Sequence, residues 1–233
     1  MKKAVVLLSG GLDSTTCAAM LVRQLGADNV IALSLGYGQK HLVELEQAKL
    51  IAKELGISHI IKELPPIFSG AGSTLIDADC PNPETTYEEL AKSIGVSPTY
   101  VPFRNGNLLS AATALALVEG ADTVCYGAHS EDARSWSYPD CSAEFIGAMA
   151  CAIYIGTYHK VRLYTPLVND TKYDVVVRGL EAYAPFELTH SCYNGARPAC
   201  GVCSTCISRI AAFKQLGVRD PIDYAIVIDW RCL

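Results

Sequence analysis

Lys3-Ala4-Val5-Val6-Leu7-Leu8-Ser9-Gly10-Gly11-Leu12-Asp13-Ser14 is the stretch from which the fold is read. Lys3 to Leu8 is a short apolar run rich in β-branched residues that stops at Ser-Gly-Gly, the profile of a buried parallel strand ending at a functional loop. From Asp13 to Leu25 apolar side chains return every three or four residues, through Cys17, Met20, Leu21 and Leu25, so a helix follows the loop. Such a loop exposes backbone N–H groups, and the helix amino terminus adds partial positive charge. Together they bind a phosphate or pyrophosphate without many side-chain cations. Glycines at 10 and 11 permit positive φ and close backbone approach, and Ser9, Ser14 and Thr15 offer hydroxyl donors. Asp13 is out of place beside a polyanion unless it caps the helix or helps hold a Mg²⁺ that bridges the phosphates. An ordinary strand-to-helix turn capped by Asp13 is the competing reading.

Outward from this loop, Val30 to Leu35 reads as a second strand. His41 to Leu55 reads as a helix with Leu42, Leu45, Ala48, Ala52 and Leu55 on one face and Gly56 as its stop. Ile57 to Leu64 is the third strand. The order β-α-β-α-β with short connections predicts an α/β fold, a doubly wound parallel sheet with helices on both faces. Pro65 to Pro98, rich in proline and glycine, breaks the rhythm as a long excursion with one short helix near Tyr87 to Ile94, in the manner of a lid or subunit contact. Further on, Asn107 to Val118 is a helix apolar nearly all round, which predicts burial. Thr123 to Tyr126 is a strand, Glu144 to Ile155 a helix, Val161 to Leu163 an extended piece, and Lys172 to Tyr183 a helix capped near Asn169 to Thr171. A last helix spans Ile207 to Leu216. The chain divides into an α/β domain, residues 1–185, and a carboxy-terminal region, residues 186–233, packed on it.

The 233 residues carry a formal net charge of −5 with half of them hydrophobic, which excludes a disordered chain and favours small-molecule substrates over an extended grip on nucleic acid. No stretch of membrane-spanning length and no signal peptide is read, so a cytoplasmic location is expected. Ten cysteines in a reducing compartment suggest metal or catalysis before disulfides.

Cys192, Cys200, Cys203 and Cys206 stand in the spacing C-x7-C-x2-C-x2-C, with Gly201 in the tight knuckle. Four thiolates can close a tetrahedral Zn²⁺ shell, a structural kind of site because no position is left for substrate. An iron–sulfur cluster competes, since C-x2-C-x2-C also begins ferredoxin-like patterns.

Ser-Gly-Gly-x-Asp-Ser after an amino-terminal strand resembles the PP-loop of the ATP pyrophosphatases, which cleave ATP to AMP and pyrophosphate while adenylating a substrate oxygen; the Gly-Lys-Ser/Thr ending of the Walker motif is absent. Beyond the loop, the strings Gly36-Tyr37-Gly38-Gln39-Lys40-His41, Val101-Pro102-Phe103-Arg104-Asn105, Tyr138-Pro139-Asp140-Cys141, Thr165-Pro166-Leu167 with Lys172, and Ser191-Cys192-Tyr193-Asn194-Gly195 resemble the QueC family of 7-cyano-7-deazaguanine synthases over nearly the whole chain. Phe103 stands where many members carry glycine, and Glu131 to Ser137 runs longer than in some.

The resemblance implies a Rossmann-like sheet of the adenine nucleotide alpha hydrolase type, zinc at the four cysteines, a homodimer, and a carbon–nitrogen ligase that turns 7-carboxy-7-deazaguanine and ammonia into 7-cyano-7-deazaguanine with ATP and Mg²⁺. It implies a nucleotide site over Leu8, Ser9, Gly10, Gly11, Leu12, Asp13, Ser14, Thr15, Thr16, Cys17 and Ala18, with Asp13, Ser14, Arg104 and Lys172 in catalysis. Lys172 would reach the phosphates as a point charge, with a solvated surface lysine as the alternative. Arg104 suits a substrate carboxylate or the α-phosphate, with a structural salt bridge as the alternative. Asn105 joins Arg104 in the substrate site, Asp132 or Asp140 would accept from a guanine-like edge, and Tyr138 would stack on the ring; helix capping is the alternative for Asp140. His41 and His129 are candidate proton carriers. The rivals are a PP-loop enzyme acting on tRNA, an enzyme that stops at the amide, and a non-catalytic nucleotide-binding protein.

Overall fold

The computed structural model describes residues 1–40, 43–77, 82–86, 89, 97–131 and 138–231. Its centre is a five-stranded, wholly parallel sheet in the order β3-β2-β1-β4-β5. The strands are β1 (Ala4–Leu7), β2 (Val30–Gly36), β3 (Ser58–Glu63), β4 (Thr123–Cys125) and β5 (Arg162–Tyr164). Every residue of β1, β2 and β4 is buried, as strands covered on both faces require. In register, Ala4 to Leu7 lie beside Val30 to Leu33, and Ala4 to Val6 beside Thr123 to Cys125.

Six helices cover the sheet among the described residues: α1 (Leu12–Leu25), α2 (Val43–Glu54), α3 (Arg104–Val118), α4 (Ala143–Gly156), α5 (Lys172–Glu181) and α6 (Ser204–Leu216). Alternation along the strands sorts them. Ala4, Val6 and Ala32 meet Leu21 of α1, Ile51 of α2, Val175 of α5 and Phe213 of α6 on one face. Val5, Ile31 and Leu33 meet Leu109 of α3 with Ile146 and Ile153 of α4 on the other. Each fully buried side chain of this size contributes about 1.5–3 kcal/mol over an exposed one. The two windings diverge from β1, so the carboxyl ends of β1 and β4 form the switch point at which open α/β sheets bind ligands.

Two expectations change. The helix read from Asn107 begins at Arg104, and its last turn is not buried: Leu117 is 45% and Val118 81% exposed. A helix laid on one side of a sheet buries one stripe, here Leu109, Ala112 and Ala116, whatever the hydrophobicity of the rest. The helix expected near Tyr87 to Ile94 lies, apart from Glu89, outside the described residues. The described part of the excursion covers the end of β2: Phe68 meets Tyr37 edge to face at 6.2 Å, and Lys40 N donates to Leu75 O.

At the carboxyl end, α6 packs on α5, and Phe213 meets Phe186 edge to face at 5.9 Å. In the tail, Tyr224 forms an isolated parallel bridge with Ala199. Gly201 has φ +79°, and a Cβ there would fall 2.5 Å from Ile226 Cγ1, so both the knuckle turn and the tail laid over it call for glycine.

Candidate active site

A cleft of about 250 Å³ opens at the switch point, floored by the ends of β1, β2 and β4 and walled by the phosphate loop, α2, α3 and the cysteine-rich segment. Gly10 takes φ +88°, and a Cβ on it would fall 2.3 Å from Glu44 O, so the first turn of α2 can lie directly on the loop. Ser9 N donates to Ser14 Oγ, Gly11 N to Ser9 Oγ, and Ser14 Oγ to Gly11 O, a closed set of bonds that fixes the loop's shape. Gly11 is the N-cap of α1 and lends no side chain to it, so the first-turn residues Leu12, Asp13 and Ser14 line the cleft with no cap from the N-cap residue itself. A helix amino terminus left in this way binds anions.

Lys172 is the first residue of α5. A capping box fixes its direction: Thr171 N donates to Asp174 Oδ2 at 2.9 Å and Asp174 N to Thr171 Oγ1 at 3.3 Å. Far from being a solvated surface lysine, it is buried and its Nζ lies 2.6 Å from Asp13 Oδ1. His129 Nε2 is 3.8 Å from the same oxygen. Burial works against the Asp13 charge, but Lys172 and then His129 outweigh it and hold the carboxyl below the usual carboxylate range. Asp13 therefore stays an anion with its side chain partly exposed to the cleft, able to meet a divalent cation carried by a nucleotide.

Arg104 occupies another stretch of wall at the start of α3. Its Nη1 donates to Tyr37 Oη at 3.1 Å, its guanidinium lies 5.3 Å from the Tyr37 ring centroid, and its Nε and Nη2 both donate to Asn105 Oδ1 at 3.3 Å. Burial opposes its charge, while Tyr37, Tyr126, Tyr193 and Asp140 around it more than compensate, so it remains cationic. Among the described residues no carboxylate forms an ion pair with it, which leaves a half-buried fork whose anionic neighbour, Asp140, acts on it only from a distance. Glu44 lines the same cleft, and burial, only partly offset by Arg104, pushes its carboxyl up to about 7.

Some expected site residues are placed elsewhere. Thr15 to Ala18 turn into the core beneath the loop, and the Thr15 hydroxyl donates to Gly11 O at 2.7 Å instead of facing a phosphate, since a threonine in a first turn can satisfy its hydroxyl on the turn before it. Tyr138 does not present its ring to the cleft: it is buried in the core between the sheet and α3, and its hydroxyl lies against Thr99 and accepts from Ser97. Asp140 is buried and accepts from Asn105 N at 3.1 Å, capping α3, while Ser142 caps α4 by accepting from Phe145 N. The cap forms, but on the helix across the sheet face from the one that follows Asp140 in sequence. Through it Asp140 sets the Arg104-Asn105 pair, and Cys141, not Asp140, reaches the cleft wall. Asp132 and His41 lie outside the described residues. Phe103, the N-cap of α3, sits in the left-handed region at φ 52°, the backbone that glycine adopts freely.

The sulfurs of Cys192, Cys200, Cys203 and Cys206 all lie within 4.8 Å of one another, and Cys200 Sγ is 3.9 Å from Cys206 Sγ. Cys200 N donates to Cys192 Sγ and Cys203 N to Cys200 Sγ, both at 3.4 Å, orienting the sulfurs inward. A tetrahedral shell with metal–sulfur bonds of about 2.3 Å puts its sulfurs about 3.8 Å apart, so the donor set fits a single tetrahedral ion.

A family model described as "Queuosine biosynthesis protein QueC" matches residues 3–217. The chain belongs to the QueC family. Among QueC-family relatives, the 7-cyano-7-deazaguanine synthase of Caldicellulosiruptor bescii is 43% identical over 98% of this chain and 100% of its own length. That of Methanoculleus marisnigri is 44% identical over 96% and 99%. Among solved structures, the U34-tRNA thiolase NcsA from Methanococcus maripaludis with its [4Fe-4S] cluster superposes with a TM-score of 0.50 at 16% identity, covering 98% of this chain and 78% of that one, a likeness of fold.

Several cleft residues of this QueC-family chain have no role in the sequence reading: Glu44, Tyr126, His190, Ser191 and Arg209. The strings Gly36 to His41 and Ser191 to Gly195 mark Tyr37 and Ser191 without assigning them work. For Glu44 and Arg209, each an ordinary charge on a helix in sequence, no local signal exists.

Proposed function

We propose that this chain makes 7-cyano-7-deazaguanine from 7-carboxy-7-deazaguanine, ammonia and ATP, as a carbon–nitrogen ligase. The observation that carries the reading is the union in one cleft of a helix amino terminus whose N-cap is a glycine with the Lys172–Asp13 pair and of the half-buried Arg104 fork, which has no ion-paired carboxylate among the described residues. A polyphosphate suits the first and a planar carboxylate the second.

A substrate carboxylate oxygen attacks the α-phosphorus of ATP and expels pyrophosphate, whose charge is received by the first-turn N–H groups, Ser9, Ser14 and Lys172. Ammonia adds to the acyl-adenylate and displaces AMP, giving the amide. Adenylation of the amide oxygen by a second ATP, followed by loss of AMP and protons from nitrogen, gives the nitrile. Arg104 orients the carboxylate and then the adenylate, and the apolar wall of Leu33, Leu35 and Leu108 excludes water that would hydrolyse it. Asp13 would hold Mg²⁺, which neutralises phosphate charge when bound.

The four thiolates suit Zn²⁺ better than a cubane, which binds each sulfur at a different iron and spreads them wider. Residues 186–233 then form a metal-stabilised region on the α/β domain of residues 1–185. Support for a homodimer comes from α4, where Gly147, Ala148, Cys151, Ala152 and Ile155 are exposed on a helix whose only charge is Glu144. Eight cysteines among the described residues carry free thiols and no described helix is long and apolar enough to cross a membrane, in keeping with a cytoplasmic enzyme; the net charge of −5 favours small substrates over nucleic acid.

Incubation with 7-carboxy-7-deazaguanine, ammonium, Mg²⁺ and ATP, followed by mass detection, should yield the nitrile with two AMP per turnover. Amide alone would support the shorter reaction, and neither product would overturn the assignment.

A further inference from the structure

The cysteine-rich segment reaches the phosphate loop directly. His190 N donates to Gly10 O at 2.9 Å, and the Ser191 hydroxyl accepts from Leu12 N, the first helical residue of α1, at 3.3 Å. Ser191 Oγ lies 3.7 Å from where a Gly11 Cβ would stand, so the glycine leaves room for this contact. The next residue, Cys192, is one of the four clustered thiols. Behind the segment, Arg209 of α6 is 2% exposed and donates to Thr189 Oγ1 at 2.7 Å and to Phe186 O at 3.2 Å, with Asp220 as its bidentate partner at 2.6 and 2.8 Å. Arg209 therefore clamps the chain just before His190, and the thiol cluster clamps it just after Ser191.

We propose that Ser191 is a positioning residue of the polyphosphate site, and that the metal at the four cysteines, by fixing Cys192, sets the place of the Ser191 hydroxyl over the first turn of α1. The inference rests on the reading of this loop as an ATP site. A hydroxyl suits the task because it accepts from Leu12 N when no phosphate is near and can turn its own O–H toward a phosphate oxygen when one arrives. The Leu12 N–H is thus kept satisfied before and after binding, and the rotation of one hydroxyl hydrogen is the change asked of this contact. The cysteine region on this account is a working wall of the nucleotide site as well as a clamp on the fold. Lys172 and Asp13 hold the loop from the other helix, so Ser191 tunes a site that other residues also build.

The test uses the metal-loaded full chain with Ser191→Ala and Ser191→Thr. Metal content by atomic emission and the thermal midpoint should match the parent, while Ser191→Ala should bind a non-hydrolysable ATP analogue about tenfold more weakly by calorimetry, the loss of one charge-assisted hydrogen bond. Its KM for ATP should rise with a smaller change in kcat, exchange of the Leu12 amide should quicken, and Ser191→Thr should restore both. Partial removal of metal from the parent should weaken analogue binding, and the same treatment of Ser191→Ala should add little. Parent-like affinity and amide exchange in Ser191→Ala, or metal loss that weakens both proteins equally, would overturn the coupling. A parent that binds no ATP analogue at all would overturn the ATP-site reading itself, and the coupling with it.

Discussion

Lys172 Nζ lies 2.6 Å from Asp13 Oδ1, so the first residue of α5 and the acid of the first turn of α1 meet across 159 positions of sequence. The pair solves a problem posed by an anion site: a buried lysine needs a counter-charge until a polyanion arrives, and an aspartate near phosphate needs a cation beside it. Phosphate oxygens can take over Lys172 while a divalent cation takes over Asp13.

Lys172→Met should therefore lower carboxylate-dependent ATP–pyrophosphate exchange by about 10²–10³, the usual effect of removing one preorganised charge donor. Asp13→Asn should do at least as much and shift the Mg²⁺ requirement upward, with far-UV circular dichroism unchanged in both. Exchange at the parental rate in Lys172→Met would remove this lysine from the chemistry.

How far the sequence reached depends on distance along the chain. The strand, loop and helix from Lys3 to Leu25 were legible because burial on both faces, two glycines and a helical period fall within one short window. The start of the helix that carries Lys172 was legible because its cap near Thr171 stands beside it in sequence, while the work expected of Lys172 came from the family resemblance. The Ser191 contact with Leu12 spans 179 positions and leaves no local pattern. Tyr138 and Asp140 show the opposite limit: a string can be specific to a family and still act from behind the wall, Asp140 by capping α3 and Tyr138 by filling core. Likewise the left-handed backbone at Phe103 appears only once α3 is seen to begin at Arg104.

Glu44 gives a prediction for pH. Its carboxyl, pushed from 4.5 to about 7 mainly by burial, binds its proton more tightly in the folded state than in the unfolded chain. Its contribution to stability is therefore greatest below about pH 4.5 and falls as pH rises toward 7. Glu44→Gln should remove this loss and be more stable than the parent at pH 8, by at most about 3.5 kcal/mol at about 1.4 kcal/mol per pKa unit, and by less for the solvent that reaches a half-buried group. Urea melts at pH 5 and pH 8 check it: the two proteins should differ more at pH 8, and an equal difference at both would contradict the argument.

Metal removal should act on the carboxyl-terminal region first. Cys200→Ser breaks the set of four sulfurs, so the purified variant should carry much less metal than the parent and lose more than about 4 kcal/mol of stability, the range of mutations that abolish a metal site. A thiol reagent should then titrate the remaining cysteines of the cluster and react more slowly with them in the metal-loaded parent. Full metal content with parental stability in Cys200→Ser would show that the Cys200 thiol is not a ligand.

The buried pair Arg209–Asp220 makes the last prediction. Asp220 is 1% exposed, accepts two bonds from Arg209, and also accepts from Tyr224 Oη at 2.7 Å. Asp220→Ala leaves a guanidinium in the interior without its anion, which costs about 3–5 kcal/mol. In a chain of this size that is a fall of roughly 10 °C in the thermal midpoint. Asp220→Asn keeps the shape and an acceptor oxygen and should lose less. The distinguishing result is spatial: because Arg209 also holds Thr189 and Phe186, amide exchange in Asp220→Ala should quicken from 186 to 191 and at the tail around Tyr224, while β1 and β2 keep the protection set by global stability. Uniform acceleration across the chain would mean that this pair supports the fold as a whole and not the segment that carries Ser191.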